Sequence, residues 1–166
     1  MPLYKIYNGP MPTTASQVAV TTGTAIKTLL QLKPFNVMRI VEWGISFDGA
    51  AGAAGIECEL LDTGTVFATV TASADADVPK YDGAEGAVAS VAGLTLGTSA
   101  TGYTSTAEGS ITVVKNFDVQ FIAPNGGYVM QFPLGREPKL IIGNSVRIRV
   151  KAAAAVNAIA YMLLEI

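Results

Sequence analysis

Two carboxylates stand two residues apart in Ile56-Glu57-Cys58-Glu59-Leu60, an alternation that puts Glu57 and Glu59 on the same face of a strand. Side chains so placed lie about 7 Å apart, a separation at which paired carboxylates hydrolyse glycosidic bonds. A second acidic group, Asp75, Asp77 and Asp82 followed by Gly83, offers several oxygens from a turn, as calcium requires. Its spacing departs from the EF-hand loop, which needs a third oxygen ligand where Pro79 stands and a glycine where Lys80 stands. The chain has no histidine and a single cysteine, Cys58, so neither a Ser-His-Asp nor a Cys-His site can be assembled. Gly-x-Ser-x-Gly, Ser-x-x-Lys, a Walker loop and a metal-type cysteine cluster are all missing.

Each of these groups has a structural reading, and it is preferred. Glu57 and Glu59 read as the solvated face of a strand that buries Ile56, Cys58 and Leu60, with no aromatic cluster nearby to hold a sugar. The aspartates read as a hydrated loop, and Cys58 as a small buried apolar residue. The expectation is a protein that acts by binding, not an enzyme, with no cofactor and no metal.

Composition narrows the partner. The 166 residues fit one domain with a real core, 50% of them are hydrophobic and only 14% are charged. A net charge of -2 gives no basic field to release counterions from phosphates, so no nucleic acid is expected. No charged stretch followed by an apolar run and a cleavage site opens the chain, and folding in a cytoplasm is expected. The weakly polar stretch 152–164 is broken by Asn157 and falls short of the about 20 residues of a membrane span, so no membrane partner is expected.

The elements that must position these residues are strands. From Arg39 onward, Val41, Trp43, Ile45 and Phe47 alternate with Glu42, Gly44, Ser46 and Asp48, as one buried sheet face requires. In 145–151, Val146, Ile148 and Val150 alternate with Arg147, Arg149 and Lys151, which predicts a basic stripe. Further β-rich runs occupy 26–33, 56–61, 65–71, 110–114, 118–122 and 128–132, separated by Gly, Pro, Asn and Asp. Many short strands without convincing helices predict an all-β sandwich or barrel. For 152–166 two readings stand: an alanine-rich helix with Val156, Ile159 and Leu163 at helical spacing, or a last strand with Ala158, Ala160, Met162 and Leu164 on one face. The strand is favoured, because a sheet protein gains more by pairing its last segment than by docking a lone helix.

Two segments read as surface. Residues 1–22 carry Pro2, Pro10 and Pro12 around a short alternation with Tyr4 and Tyr7, and predict an extended arm that lies on a neighbour. Residues 73–103, rich in Ala, Gly, Ser and Asp, predict a long exposed loop within a sandwich domain spanning 23–166. Charge is segregated: nine acids and one base between Glu42 and Glu85, against five bases and one acid in 136–151. Either neighbouring strands neutralise one another, or the charges fix register against another copy or an acidic shell.

Several stretches together resemble a known family: Ala25-Ile-Lys-Thr-Leu-Leu-Gln-Leu32, Trp43-Gly-Ile-Ser-Phe-Asp-Gly49, Ile56-Glu-Cys-Glu-Leu-Leu-Asp62, Gly102-Tyr-Thr-Ser-Thr-Ala-Glu-Gly109 and Gln131-Phe-Pro-Leu-Gly-Arg-Glu-Pro138. They are similar to the head-decoration, capsid-stabilising proteins of tailed bacteriophages, over 25–166. The resemblance implies a jelly-roll-like β-sandwich of about eight strands and assembly as a homotrimer. It further implies a place in the virion on the outer face of the phage head, with the major capsid protein of the same phage as partner. The family carries no catalytic residues to transfer. The expected interaction residues are Pro2, Tyr4, Tyr7, Pro10 and Pro12 of the arm with Arg136, Arg147 and Arg149. The alternative from another class is a receptor- or carbohydrate-binding sandwich of a phage tail or fibre, which requires Tyr4, Tyr7, Tyr81 and Tyr103 to cluster on one concave face.

Overall fold

The computed structural model describes residues 2–81 and 93–166. Alternating hydrophobicity becomes two antiparallel sheets packed face to face. The first is built from β1 (Leu3–Tyr7), β2 (Val20–Thr21), β4 (Arg39–Phe47), β9 (Gly127–Gln131) and β11 (Asn157–Glu165), in the order β1-β11-β4-β9 with β2 beside β11. The second is ordered β6-β7-β3-β10-β5-β8, from β3 (Lys27–Leu32), β5 (Ile56–Asp62), β6 (Thr69–Ala72), β7 (Gly102–Ala107), β8 (Lys115–Ile122) and β10 (Val146–Lys151). The described residues thus hold eleven strands where about eight were expected, and one 3-10 turn at Asp75–Asp77.

The core lies between the sheets, where Ile6, Trp43 and Met162 of the first meet Leu30, Leu60 and Ile148 of the second. Burying each such side chain contributes about 1.5–3 kcal/mol. The last segment is the strand favoured from the sequence, with Ala158, Ala160, Met162 and Leu164 buried. In β4 both Ile40 and Trp43 face inward although three residues apart, because the β4–β11 register shifts at Leu163/Leu164 and a bulge absorbs the odd residue.

The N-terminal segment differs from a free arm. Leu3–Tyr7 pairs antiparallel with β11, and Tyr4 and Ile6 are buried in the core. Asn8 prolongs that pairing through its side chain, donating to the Ala158 carbonyl at 3.0 Å and accepting from the Ala160 amide at 3.0 Å. The prolines flank this strand and do not interrupt it, and it lies at a sheet edge, where proline nearby is tolerated.

The expected loop 73–103 is tethered wherever it is described. Val78 and Leu94 are buried in the core, Lys80 bridges to Tyr4, Leu94 bridges to Pro34, and Gly102 opens β7. One expected strand is missing: 110–114 runs into β8 without pairing with any described strand.

Candidate interaction surface

The residues singled out in the sequence fall on three faces. On the outer face of the second sheet, Arg149 of β10 donates from Nε and Nη2 to the same oxygen of Glu59 on β5, both at 2.7 Å, and Lys151 stands opposite Glu57. Acidic and basic strands therefore neutralise each other, and neither Glu57 nor Glu59 lines one of the described cavities. Behind them Cys58 is fully buried, and burial, reinforced by Glu57 and Glu59, pushes its thiol up to about 12. We expect no reaction of Cys58 with a thiol reagent at pH 8 in the native protein and full reaction in urea; rapid native labelling would contradict its burial.

Arg147 departs furthest from expectation. Its alternation with the core-facing Val146 and Ile148 does turn it outward, but it is 0% exposed, roofed by the segments around Val66 and Glu108. Nη1 donates to the Glu108 carboxylate at 3.1 Å and to the Glu108 carbonyl at 3.0 Å, Nη2 to the Val66 carbonyl, and Nε to Ser145 Oγ at 2.9 Å. Glu108 is held in turn by the amide and hydroxyl of Thr28, each at 2.6 Å, and by Ser105. Thr104, at φ 53, turns β7 just before Ser105, and a β-branched residue in that region is strained. Burial lowers the pKa of the guanidinium, and Glu108 opposes that shift. Arg147 and Arg149 are thus internal pairs, not a surface stripe.

The aspartates also serve the fold. Asp77 is buried and accepts from the Met11 amide at 2.7 Å and the Ala74 amide at 2.8 Å, which ties the segment after β1 to the 3-10 turn. Asp82 and Gly83 lie outside the described residues. Among the described residues no group of three or more His, Cys, Asp or Glu could hold a metal ion. Nor is any described helix long and apolar enough to cross a membrane.

The tyrosines divide. Tyr4 is in the core and Tyr103 lies on β7 of the second sheet, so the four named residues do not share one face. Tyr7 and Tyr81 converge with Tyr161 on Lys5, whose ammonium lies 4.0 Å from the Tyr161 ring centre and 5.5 Å from each of the other two. Tyr161 lies flat on Gly44, where a Cβ would come within 2.6 Å of the ring, and donates its hydroxyl to Glu42. Burial, then Glu42, raises the pKa of that phenol. Beside the cluster runs a groove of about 300 Å³ between Tyr7, Tyr161 and Ile159 on one side and Val129 on the other, floored by Ser46 and Gly127.

The third face was not singled out in the sequence. Leading into β4 the chain pairs 34–39 with 139–143: Arg39 bridges Lys139, Leu140 donates to the Met38 carbonyl at 2.9 Å, and Gly143 donates to the Pro34 carbonyl at 2.8 Å. That pairing gathers Phe35, Val37, Ile141 and Ile142 at one end of the sandwich, each about half exposed. The turn just before them presents Leu134, 96% exposed, and the exposed Arg136. Phe35-Asn-Val37 and Leu-Ile-Ile142 were signals available in the sequence, but an apolar run between turn residues reads as core until its neighbours are known.

Comparison with protein-family models, with curated proteins and with solved structures finds no match.

Proposed function

We propose that this chain is a virion structural protein, a decoration protein that binds the outer surface of a phage head and stabilises it. The observation that carries the reading is the apolar end, where the pairing of 34–39 with 139–143 leaves Phe35, Val37, Ile141 and Ile142 half exposed, with Leu134 and Arg136 exposed in the turn that precedes 139–143. Contiguous apolar groups left in water mark a surface that is covered in an assembly. Pressing this end onto a capsid shell removes it from water, and Arg136 at its rim supplies a charge that fixes orientation. The protein acts by binding, without a catalytic group or cofactor, as several copies on the particle, after synthesis in the host cytoplasm. The jelly-roll-like winding of its strands is part of the same reading, as is the major capsid protein as partner.

The test is binding to phage heads stripped of this protein. Phe35→Asp combined with Ile142→Asp is expected to fold normally, since both side chains already meet water, and to lose particle binding about a hundredfold or more, as desolvated interface anchors do. Unchanged binding by that double variant overturns the reading.

The groove beside Tyr7 and Tyr161 favours a second reading, a carbohydrate- or receptor-binding module of a tail or fibre. Retention on a glycan surface that Val129→Lys abolishes, with particle binding absent, selects it.

A further inference from the structure

One stretch beside the apolar end departs from the line of the sheet. β9 and 138–143 run along the same side of 34–47: the Phe132 amide donates to the Val41 carbonyl at 2.9 Å, the Ile40 amide donates to the Pro138 carbonyl at 3.1 Å, and Lys139 bridges Arg39. Ile40 alone separates Val41 from Arg39, whereas Pro133-Leu-Gly-Arg-Glu-Pro138 separates Phe132 from Lys139. The surplus residues leave the pairing as a short excursion. Leu134 within it is 96% exposed, more than any other large apolar side chain among the described residues.

The excursion is nevertheless ordered. The Arg136 amide donates to the Pro133 carbonyl at 2.8 Å, which makes Leu134 and Gly135 the central pair of a four-residue turn, and Gly135 takes there a φ of 80 that favours glycine. The Gly135 amide donates to the Glu137 carboxylate at 3.0 Å. That carboxylate is only 4% exposed and faces the Arg39 guanidinium at 3.6 Å, which ties the turn to the first residue of β4. Fixing a backbone costs about 1–2 kcal/mol per residue, and a turn that displays a leucine to water recovers none of it by burial. A partner that receives the leucine does recover it.

Charge states what that partner offers. Arg136-Glu137 reads as neutral in the sequence, but the acid is turned in towards Gly135 and Arg39 while the base stays out. Arg136 and Lys139 are both exposed and have no ion-pair partner among the described residues. In a chain of net charge -2, the excursion therefore presents an apolar tip flanked by cations.

We propose that Leu134 is the anchor of the capsid-binding end, a knob held out by Glu137 that enters an apolar pocket rimmed by carboxylates on the major capsid protein. Arg136 and Lys139 meet those carboxylates, and the preformed turn lets the leucine enter without a further ordering cost. Glu137 is a positioning residue, since it acts through the turn and not on the partner. The inference rests on the reading of the apolar end as the surface that binds the head.

Binding to phage heads stripped of this protein tests it. Leu134→Ala is expected to weaken binding about tenfold or more with unchanged urea denaturation, and Leu134→Met, of similar volume, to restore most of the loss. Arg136→Glu is expected to weaken binding more than Arg136→Gln, with the gap closing in about 1 M salt. Glu137→Ala is expected to weaken binding in the wild-type background and to have little effect once Leu134 is replaced by alanine; equal losses in both backgrounds overturn its positioning role. Leu134→Ala or Arg136→Glu binding like wild type, while Phe35→Asp with Ile142→Asp still loses the particle, overturns this inference alone. A wild-type chain that does not bind heads overturns both readings. An oligomer of the free protein that Leu134→Ala dissociates puts the pocket on a second copy and overturns its assignment to the capsid protein.

Discussion

Trp43→Ala is expected to destabilise the fold by about 3–5 kcal/mol, the usual cost of removing a large aromatic from a packed core. Trp43 is wholly buried where the two sheets meet, its ring 5.5 Å from that of Tyr128, and its Nε1 donates to Asp118 at 3.1 Å. Truncation therefore opens a cavity at the centre of the sandwich and also removes a hydrogen bond to the edge strand β8. The comparison that gives the number meaning is Glu57→Gln with Glu59→Gln. Among the described residues only Glu59 of the two has an ion-pair partner, Arg149, and it is partly solvated, so the expected loss is about 1 kcal/mol. Urea denaturation of both variants measures the difference. Equal losses would mean that the outer carboxylates hold the fold as firmly as its core does. A double Gln variant that folds normally but loses a measurable function would make those carboxylates a site.

What could be read in the sequence follows from the range over which each signal acts. The alternations of β4, β5, β10 and β11 were legible because one face of each meets the core and the period of two reports burial directly. The same rule placed Arg147 on the outward face, which is correct. Outward is not exposed, however, when segments 39 and 81 residues away in sequence, at Glu108 and Val66, fold over that face. Nothing within the alternation of 145–151 encodes the roof. β1 was obscured by its prolines, although Tyr4 and Ile6 already showed the period of two, because the strand that accepts them, β11, lies at the other end of the chain. The apolar end went unread for a related reason: Phe35 and Ile142 become neighbours only when 34–39 pairs with 139–143. In 110–114 local propensity was strong and the expected strand still did not form, since a strand requires a partner as well as a preference.

Arg147→Met should be the second severe substitution. Methionine fills much of the space of the arginine stem but removes the donor from four acceptors: the Val66 carbonyl, the Glu108 carbonyl, one oxygen of the Glu108 carboxylate and Ser145 Oγ. Removing one member of a buried ion pair typically costs about 3–5 kcal/mol, mostly as the penalty of the charge left behind. Glu108→Gln should cost less, about 1–3 kcal/mol, because Thr28 and Ser105 can still bond the amide oxygen that remains. If the carboxylate is what makes the loss of Arg147 severe, the double variant will be less unstable than the two single losses added together, by about 1–3 kcal/mol. Simple additivity would locate the cost of Arg147→Met in the two carbonyls and Ser145 and not in the ion pair. Arg147→Met with wild-type stability would mean that the roof over β10 stands without the side chain at its centre.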